Sequence, residues 1–311
     1  MKKLSFLFSF LFLSMLATSF IACGDDDDDT VVEEKTIAQT AAADPQFSTL
    51  VSALNRVNLT SVLDGTGNFT VFAPTNAAFQ ASGIDLNTLS DAALTEVLLY
   101  HVLGAEVVST AIQEGQTYAT TAAETGPGGK QLSILIEKTG TAVKINGKAN
   151  VTTADVKATN GVIHIVDAVI LPLDVVGHAL ANSNFTSLTG ALGAASGNLV
   201  SVLQGDGPFT VFAPLNSAFA AIADVTAGLS ADQLATVLTY HVAAGNVVSG
   251  DLTNGMKVTT VNGEQFTVNI NGSAVTLTDA RGGVSKVVLT NVQGTNGVIH
   301  VIDTVLLPEQ I

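Results

Sequence analysis

The sequence predicts an α+β protein made of two tandem copies of one domain. Two observations carry that prediction: three motifs occur twice in the same order, and in each copy helix-type apolar spacing precedes strand-type runs. Phe69 to Phe79 reads FTVFAPTNAAF, and Phe209 to Phe219 reads FTVFAPLNSAF. Tyr100-His101-Val102 recurs as Tyr240-His241-Val242, and Asn160 to Pro172 (NGVIHIVDAVILP) recurs as Asn296 to Pro308 (NGVIHVIDTVLLP). The first two motifs are displaced by 140 residues (209 − 69 and 240 − 100) and the third by 136 (296 − 160). Solenoid repeats run at roughly 20–50 residues, so so long a displacement marks the duplication of a whole domain.

The elements follow in chain order. Lys2 and Lys3 precede an apolar stretch from Leu4 to Phe20, which reads as an export signal rather than a membrane span. It ends in Phe20-Ile21-Ala22-Cys23, and Cys23 is the chain's single cysteine. This resembles the bacterial lipoprotein signal, with Phe20 where a leucine is usual. The resemblance implies a signal peptide over 1–22 and lipidation of Cys23. Asp25 to Asp29 are five consecutive acids that repel one another, so residues 23–36 are expected to be the lipidated cysteine and an extended acidic tether. An acidic stretch after the lipid cysteine also resembles the surface-export signal of Bacteroidetes-type lipoproteins, which implies display outside the outer membrane. Asp29-Thr30-Val31 resembles an O-glycosylation site of such proteins.

The domains are expected at 37–173 and 174–311. Pro45 to Leu63 places Phe47, Leu50, Val51 and Leu54 on one face of an amphipathic helix. Gly65 to Asn68 breaks it, Phe69 to Ala73 is a short strand, and Pro74 blocks further pairing. Thr75 or Asn76 then caps a new helix. Ser90 to Val102 is a helix with Ser90 as N-cap and Asp91 in the first turn, where an acid suits the helix dipole. Ser230 to Val242 is its partner. Strands are expected at Leu132–Ile136, Thr141–Ile145, Asn150–Ala154 and Gly161–Leu171, with hairpin turns at Asn146-Gly147 and Asn262-Gly263. Val162 to Leu171 is apolar on both faces and reads as an interior strand. Helices first and strands after argue for α+β rather than a doubly wound sheet.

The three motifs, in this order and spacing, resemble the fasciclin-type domain, over about 36–173 and 174–309. The resemblance implies that each copy is a β-sheet wedge with helices packed at one edge. It also implies a role in extracellular adhesion and matrix interaction. The family's Tyr-His motif, linked to receptor binding in animal relatives, falls on Tyr100-His101 and Tyr240-His241. The residues themselves allow a second reading. Each pair ends an apolar helix, where an imidazole can bond a free carbonyl and fix the helix to the sheet.

Composition excludes several classes. Twenty-seven acids against 12 Lys and Arg give a net charge of −15, opposite to what phosphate binding needs. The same shortage of cations leaves the lipid anchor as the one expected contact with a membrane. A single cysteine rules out intramolecular disulfides, so each domain must stand on its core alone. No tryptophan and three tyrosines leave little for a sugar-stacking platform.

The remaining polar candidates read as structural. His164 and His300 lie in apolar strands, and Asp167 and Asp303, three residues on, point to the opposite face. No metal and no cofactor are expected, since two histidines without helical pairing or cysteines make a poor ligand set. Catalytic signatures are absent, and Gly126 to Lys130 (GPGGK) has the wrong spacing for a phosphate loop, so the chain is not expected to be an enzyme. The expected function is that of a surface-anchored adhesion or extracellular-matrix binding lipoprotein of the outer membrane, with an extracellular protein or glycan as partner. The alternative is an envelope scaffold or small-ligand-binding protein facing the periplasm, using a cleft between helices and sheet. Gln113 to Lys130 is a candidate specificity loop, because the shorter offset of the last motif places four extra residues between Tyr100 and Asn160.

Overall fold

The computed structural model describes residues 34–311. The expected signal peptide, Cys23, the Asp25–Asp29 run and Asp29-Thr30-Val31 lie outside them. Lys35 and Thr36, at the end of the expected tether, are joined to the first domain. The Lys35 carbonyl accepts the Thr159 amide at 2.9 Å, and Thr36 closes a capping box on the first helix.

The first domain runs α1 (Ile37–Ala43), α2 (Ser48–Arg56), α3 (Thr60–Asp64), β1 (Phe69–Pro74), α4 (Asn76–Ser82) and α5 (Asp91–Tyr100). Strands β2 (Val102–Leu103), β3 (Gly115–Thr120), β4 (Ser133–Thr139), β5 (Ala142–Ile145), β6 (Ala149–Ala158) and β7 (Gly161–Val166) follow. The second domain repeats the plan with α6 (Val175–Ala181), α7 (Thr186–Ala194), α8 (Leu199–Leu203), β8 (Phe209–Pro214), α9 (Asn216–Ala221), α10 (Ala223–Thr226) and α11 (Ala231–Tyr240). Its later strands are β9 (Val242–Ala244), β10 (Lys257–Thr259), β11 (Gln265–Asn271), β12 (Ala274–Thr278), β13 (Val284–Gly294) and β14 (Gly297–Ile302).

Each domain folds around a seven-stranded sheet, in the order β2-β1-β7-β6-β5-β4-β3 and β10-β11-β12-β13-β14-β8-β9. The two ends of each sheet meet through Leu103–Thr121 and Ala243–Thr260 bridges, so each sheet curls into a near-barrel with helices packed on it. The expected α+β class holds, with one parallel pair per domain, β1 on β7 and β8 on β14. A parallel neighbour on one side and an antiparallel one on the other make β7 and β14 the interior strands their apolar sequences require.

Four expectations need correction. The helix expected over Pro45–Leu63 is a 3-10 turn followed by α2 and α3, because Asn58 turns to φ 58° and breaks the ladder. Helix α1 was not anticipated, since only Ile37, Ala38 and Ala41 of its seven residues are buried. Strand β3 lies where a loop was expected, inside Gln113–Lys130. Strand β7 stops at Val166 rather than Leu171, because the Ile170 amide turns to the His101 ring at 2.9 Å. The Asn146-Gly147 and Asn262-Gly263 turns both close hairpins, the former between β5 and β6 and the latter between β10 and β11.

The motifs supply the polar joints of this scaffold. Asn160 accepts the Ile37 amide at 2.9 Å and donates to the Leu63 and Gly65 carbonyls at 2.8 Å, tying α1 and α3 to the sheet. Asn296 does the same with Val175, Leu203 and Gly205. Buried Thr70 and Thr210 hold the chain after α5 and α11, bonding the Ala105 and Gly245 carbonyls at 2.7 Å. Gly161 and Gly297 start the interior strands so close to β1 and β8 that a Cβ would lie 2.0 and 2.2 Å from the Phe69 and Phe209 carbonyl oxygens.

Candidate functional site

Helices α5 and α11 each deliver a Tyr-His pair to the sheet, started by Ser90 and Ser230, whose hydroxyls accept the Ala93 and Gln233 amides at 3.2 Å. At the far ends, Tyr100 and Tyr240 are fully buried, and His101 and His241 are 3 % and 2 % exposed. The geometry sets the tautomer. His101 Nε2 accepts the Ile170 amide at 2.9 Å, so the proton sits on Nδ1 and is donated to the Val97 carbonyl at 2.7 Å. His241 bonds Leu306 and Val237 in the same way, at 2.9 and 2.8 Å. Burial pushes both imidazoles down to about 4, against the opposing pull of the carbonyls, so both are neutral at pH 7.

The tyrosines are equally occupied. Tyr100 donates to the Ser133 carbonyl at 2.7 Å and accepts from Asn146 at 3.0 Å. Tyr240 donates to the Gln265 carbonyl at 2.9 Å and accepts the Ala280 amide at 3.0 Å. Burial raises both hydroxyls, that of Tyr240 to about 12. In this conformation the pairs pin helix to sheet and are buried from the outer surface.

His164 donates from Nε2 to the Val107 carbonyl at 2.8 Å and accepts the Asp155 amide at 3.2 Å. Asp167 bonds Asn150 instead, at 2.7 and 2.8 Å. His300 donates to Val247 at 2.9 Å while its Nδ1 is buried without a partner. Among the described residues, no three His, Cys, Asp or Glu side chains gather as a metal site would require.

Between the domains lies a contact whose residues no motif announces. Tyr118 of β3 packs against the second domain's core and meets His178 edge-on, with ring centroids 5.6 Å apart. Its hydroxyl accepts from Asn182 at 3.1 Å. Gln293 donates its amide to Ser133 Oγ at 2.9 Å, and its side chain exchanges hydrogen bonds with Asn246 at 3.0 and 3.1 Å. Asn246 also reaches the Pro127 carbonyl at 3.3 Å. Ser183 and Asn184 both bond Gln116 at 3.2 Å. The expected specificity segment Gln113–Lys130 is therefore engaged in large part by the neighbouring domain. His178 is fully buried with neither ring nitrogen bonded, and burial pushes it down to about 4.

The outer surface differs between the copies. Val284, Val288 and Leu289 on β13 are exposed apolar side chains, 59, 47 and 41 % accessible. The matching positions of Val288 and Leu289 on β6 are Thr152 and Thr153. The one ion pair among the described residues joins Arg56 to Asp91 at 2.8 Å, and the same guanidinium bonds the Leu86 and Leu89 carbonyls.

Comparison with known proteins agrees with this geometry. The fasciclin domain family matches residues 45–172 and 183–308. The transforming growth factor-beta-induced protein ig-h3 of Sus scrofa is 29% identical over 273 residues, covering 86% of this chain and 37% of that protein. This chain thus spans little more than a third of that relative's length. A fasciclin-like arabinogalactan protein of Arthroderma benhamiae is 30% identical over 293 residues, covering 89% of this chain and 68% of the relative. A solved fasciclin domain pair from the insect cell adhesion molecule fasciclin I superposes with a TM-score of 0.50 at 20% identity, covering 83% of this chain and 93% of that one.

Proposed function

The chain belongs to the fasciclin domain family, and from that premise we propose that it is a non-enzymatic adhesion or matrix-binding protein held at the outer surface of a bacterial cell. The observation that carries this reading is the direction of the motif side chains. Asn160, Thr70, Tyr100 and His101, with their second-domain counterparts, all bond inward and build the scaffold. Recognition then falls to surface positions that vary. The exposed apolar side chains Val284, Val288 and Leu289 of β13 are the positions we assign to that contact. The partner is an extracellular protein or glycan.

Lipidation at Cys23 supplies the anchor in this proposal. Acyl chains contribute about 0.8 kcal/mol per buried methylene, so a multiply acylated cysteine holds durably. Among the described residues no helix is long and apolar enough to cross a membrane. The test immobilises the purified chain and probes it with intact cells and matrix extract. Saturable capture, competed by free protein and weakened by Val288→Thr with Leu289→Thr, is expected. No capture by a demonstrably folded sample contradicts adhesion. A protease added to intact cells should also shave the domains off, whereas protection would favour the periplasmic alternative. The small-ligand half of that alternative draws support from an apolar cavity in the second domain.

A further inference from the structure

We propose that this cavity is a binding site for a single unbranched alkyl tail, such as that of a fatty acid. The inference deepens the small-ligand reading and is independent of adhesion. The cavity lies between helices and sheet, walled by Ala179, Leu192, Val211 and Ile299, and encloses about 70 Å³. Since a cavity of about 150 Å³ holds the six carbons of benzene, this one takes the last two or three carbons of a tail.

Its chemistry selects hydrocarbon. The polar side chains in the wall are Thr239 and His241, and both are already engaged. The Thr239 hydroxyl bonds the Ala235 and Thr236 carbonyls at 2.8 and 3.1 Å. The two His241 nitrogens bond Val237 and Leu306. A polar ligand group inside would lose its water and find no partner, whereas methylenes lose nothing there. Val202 and Val261 at the cavity edge are each 53 % exposed, giving the emerging tail an apolar rim and leaving a headgroup in water.

The first domain differs around the matching place. Leu99, bulkier than a threonine, stands at the position matching Thr239 and packs against that domain's barrel-side core with Tyr100 and Leu103. Arg56 clamps α2 to the Leu86 and Leu89 carbonyls, and its counterpart on α7 is Ala194. Helix α7 also carries Gly190 and Gly193 where α2 has Ser52 and Asn55. An unclamped, glycine-containing helix yields more readily to an entering chain.

The experiment titrates the purified chain by calorimetry with fatty acids of 6–12 carbons and with a lysophospholipid carrying a ten-carbon tail. Affinity should rise by at most about fourfold per methylene, the increment of full burial, and level off once the tail has filled the cavity and covered its apolar rim. Binding of both ligand types means the headgroup is not read; binding of one alone assigns the tail to that source. Thr239→Leu, which imports the first domain's residue, should weaken binding at least tenfold. Val202→Asp at the exposed edge should also weaken it and cannot perturb the core. The proposal is overturned if the folded chain binds no tail. It is equally overturned if affinity climbs without limit and ignores both substitutions.

Discussion

At position 157 the first domain carries a lysine in water; at the matching position 293 the second carries a glutamine buried against its neighbour. The same exchange occurs twice more. Glu106 and Asp44 of the first domain correspond to Asn246 and Asn182 of the second, and both asparagines bond across the domain contact. A buried charge without a partner is strongly destabilising, whereas a primary amide can be satisfied by carbonyls and hydroxyls at modest desolvation cost. The difference shows how one domain plan yields two roles. The inward polar joints are kept in both copies, and on the covered face three charges become amides.

The comparison can be broken first at a shared joint. Gly297→Ala should prevent the second domain from folding, with a loss above about 4 kcal/mol, because its Cβ has no space beside the Phe209 backbone. Circular dichroism and expression yield would register it, and a well-folded variant would refute the packing argument.

Acid should separate the domains next. His101, His178 and His241 are held near 4 when folded, while unfolded histidine titrates near 6.5. Between those values the unfolded chain binds more protons, so stability is intact above pH 6.5 and falls as pH drops towards 4. Each imidazole can account for up to about 3 kcal/mol. The second domain holds two of the three, since the first has Thr40 where His178 stands. Hydrogen exchange at pH 7 and pH 4.5 should therefore show the second domain opening first; equal acid sensitivity would remove His178 from the account.

A smaller effect is expected from Gln293→Lys, about 3 kcal/mol, as the first domain's residue is forced into the contact. The reciprocal Lys157→Gln should stay within about 0.5 kcal/mol, as should Val288→Thr with Leu289→Thr. Chemical denaturation of the four chains measures all three.

Local physics made much of this molecule legible beforehand. Ser90 and Ser230 announce their helices, the Asn-Gly turns close hairpins, and β7 reads as interior because both its faces are apolar. Other elements depend on tertiary context. The break at Asn58 requires a positive φ that composition does not signal, and Ile170 leaves the strand only because His101 waits for its amide. The apolar cavity of the second domain is likewise a product of tertiary packing, since its walls come from helices and strands far apart in the chain. The domain contact was illegible for the same reason. Tyr118, Ser133, His178, Asn246 and Gln293 are far apart in the chain and form no motif. The signal available was the charged-to-amide exchange between matching positions.

The most direct measurement is differential scanning calorimetry of the purified chain beside its Gln293→Lys and Lys157→Gln variants. One cooperative transition in the parent and in Lys157→Gln, split into two by Gln293→Lys, is the predicted result. Two independent transitions in the parent, or a single unshifted one in Gln293→Lys, would contradict the claim that the amide-lined contact joins the two domains into one unit.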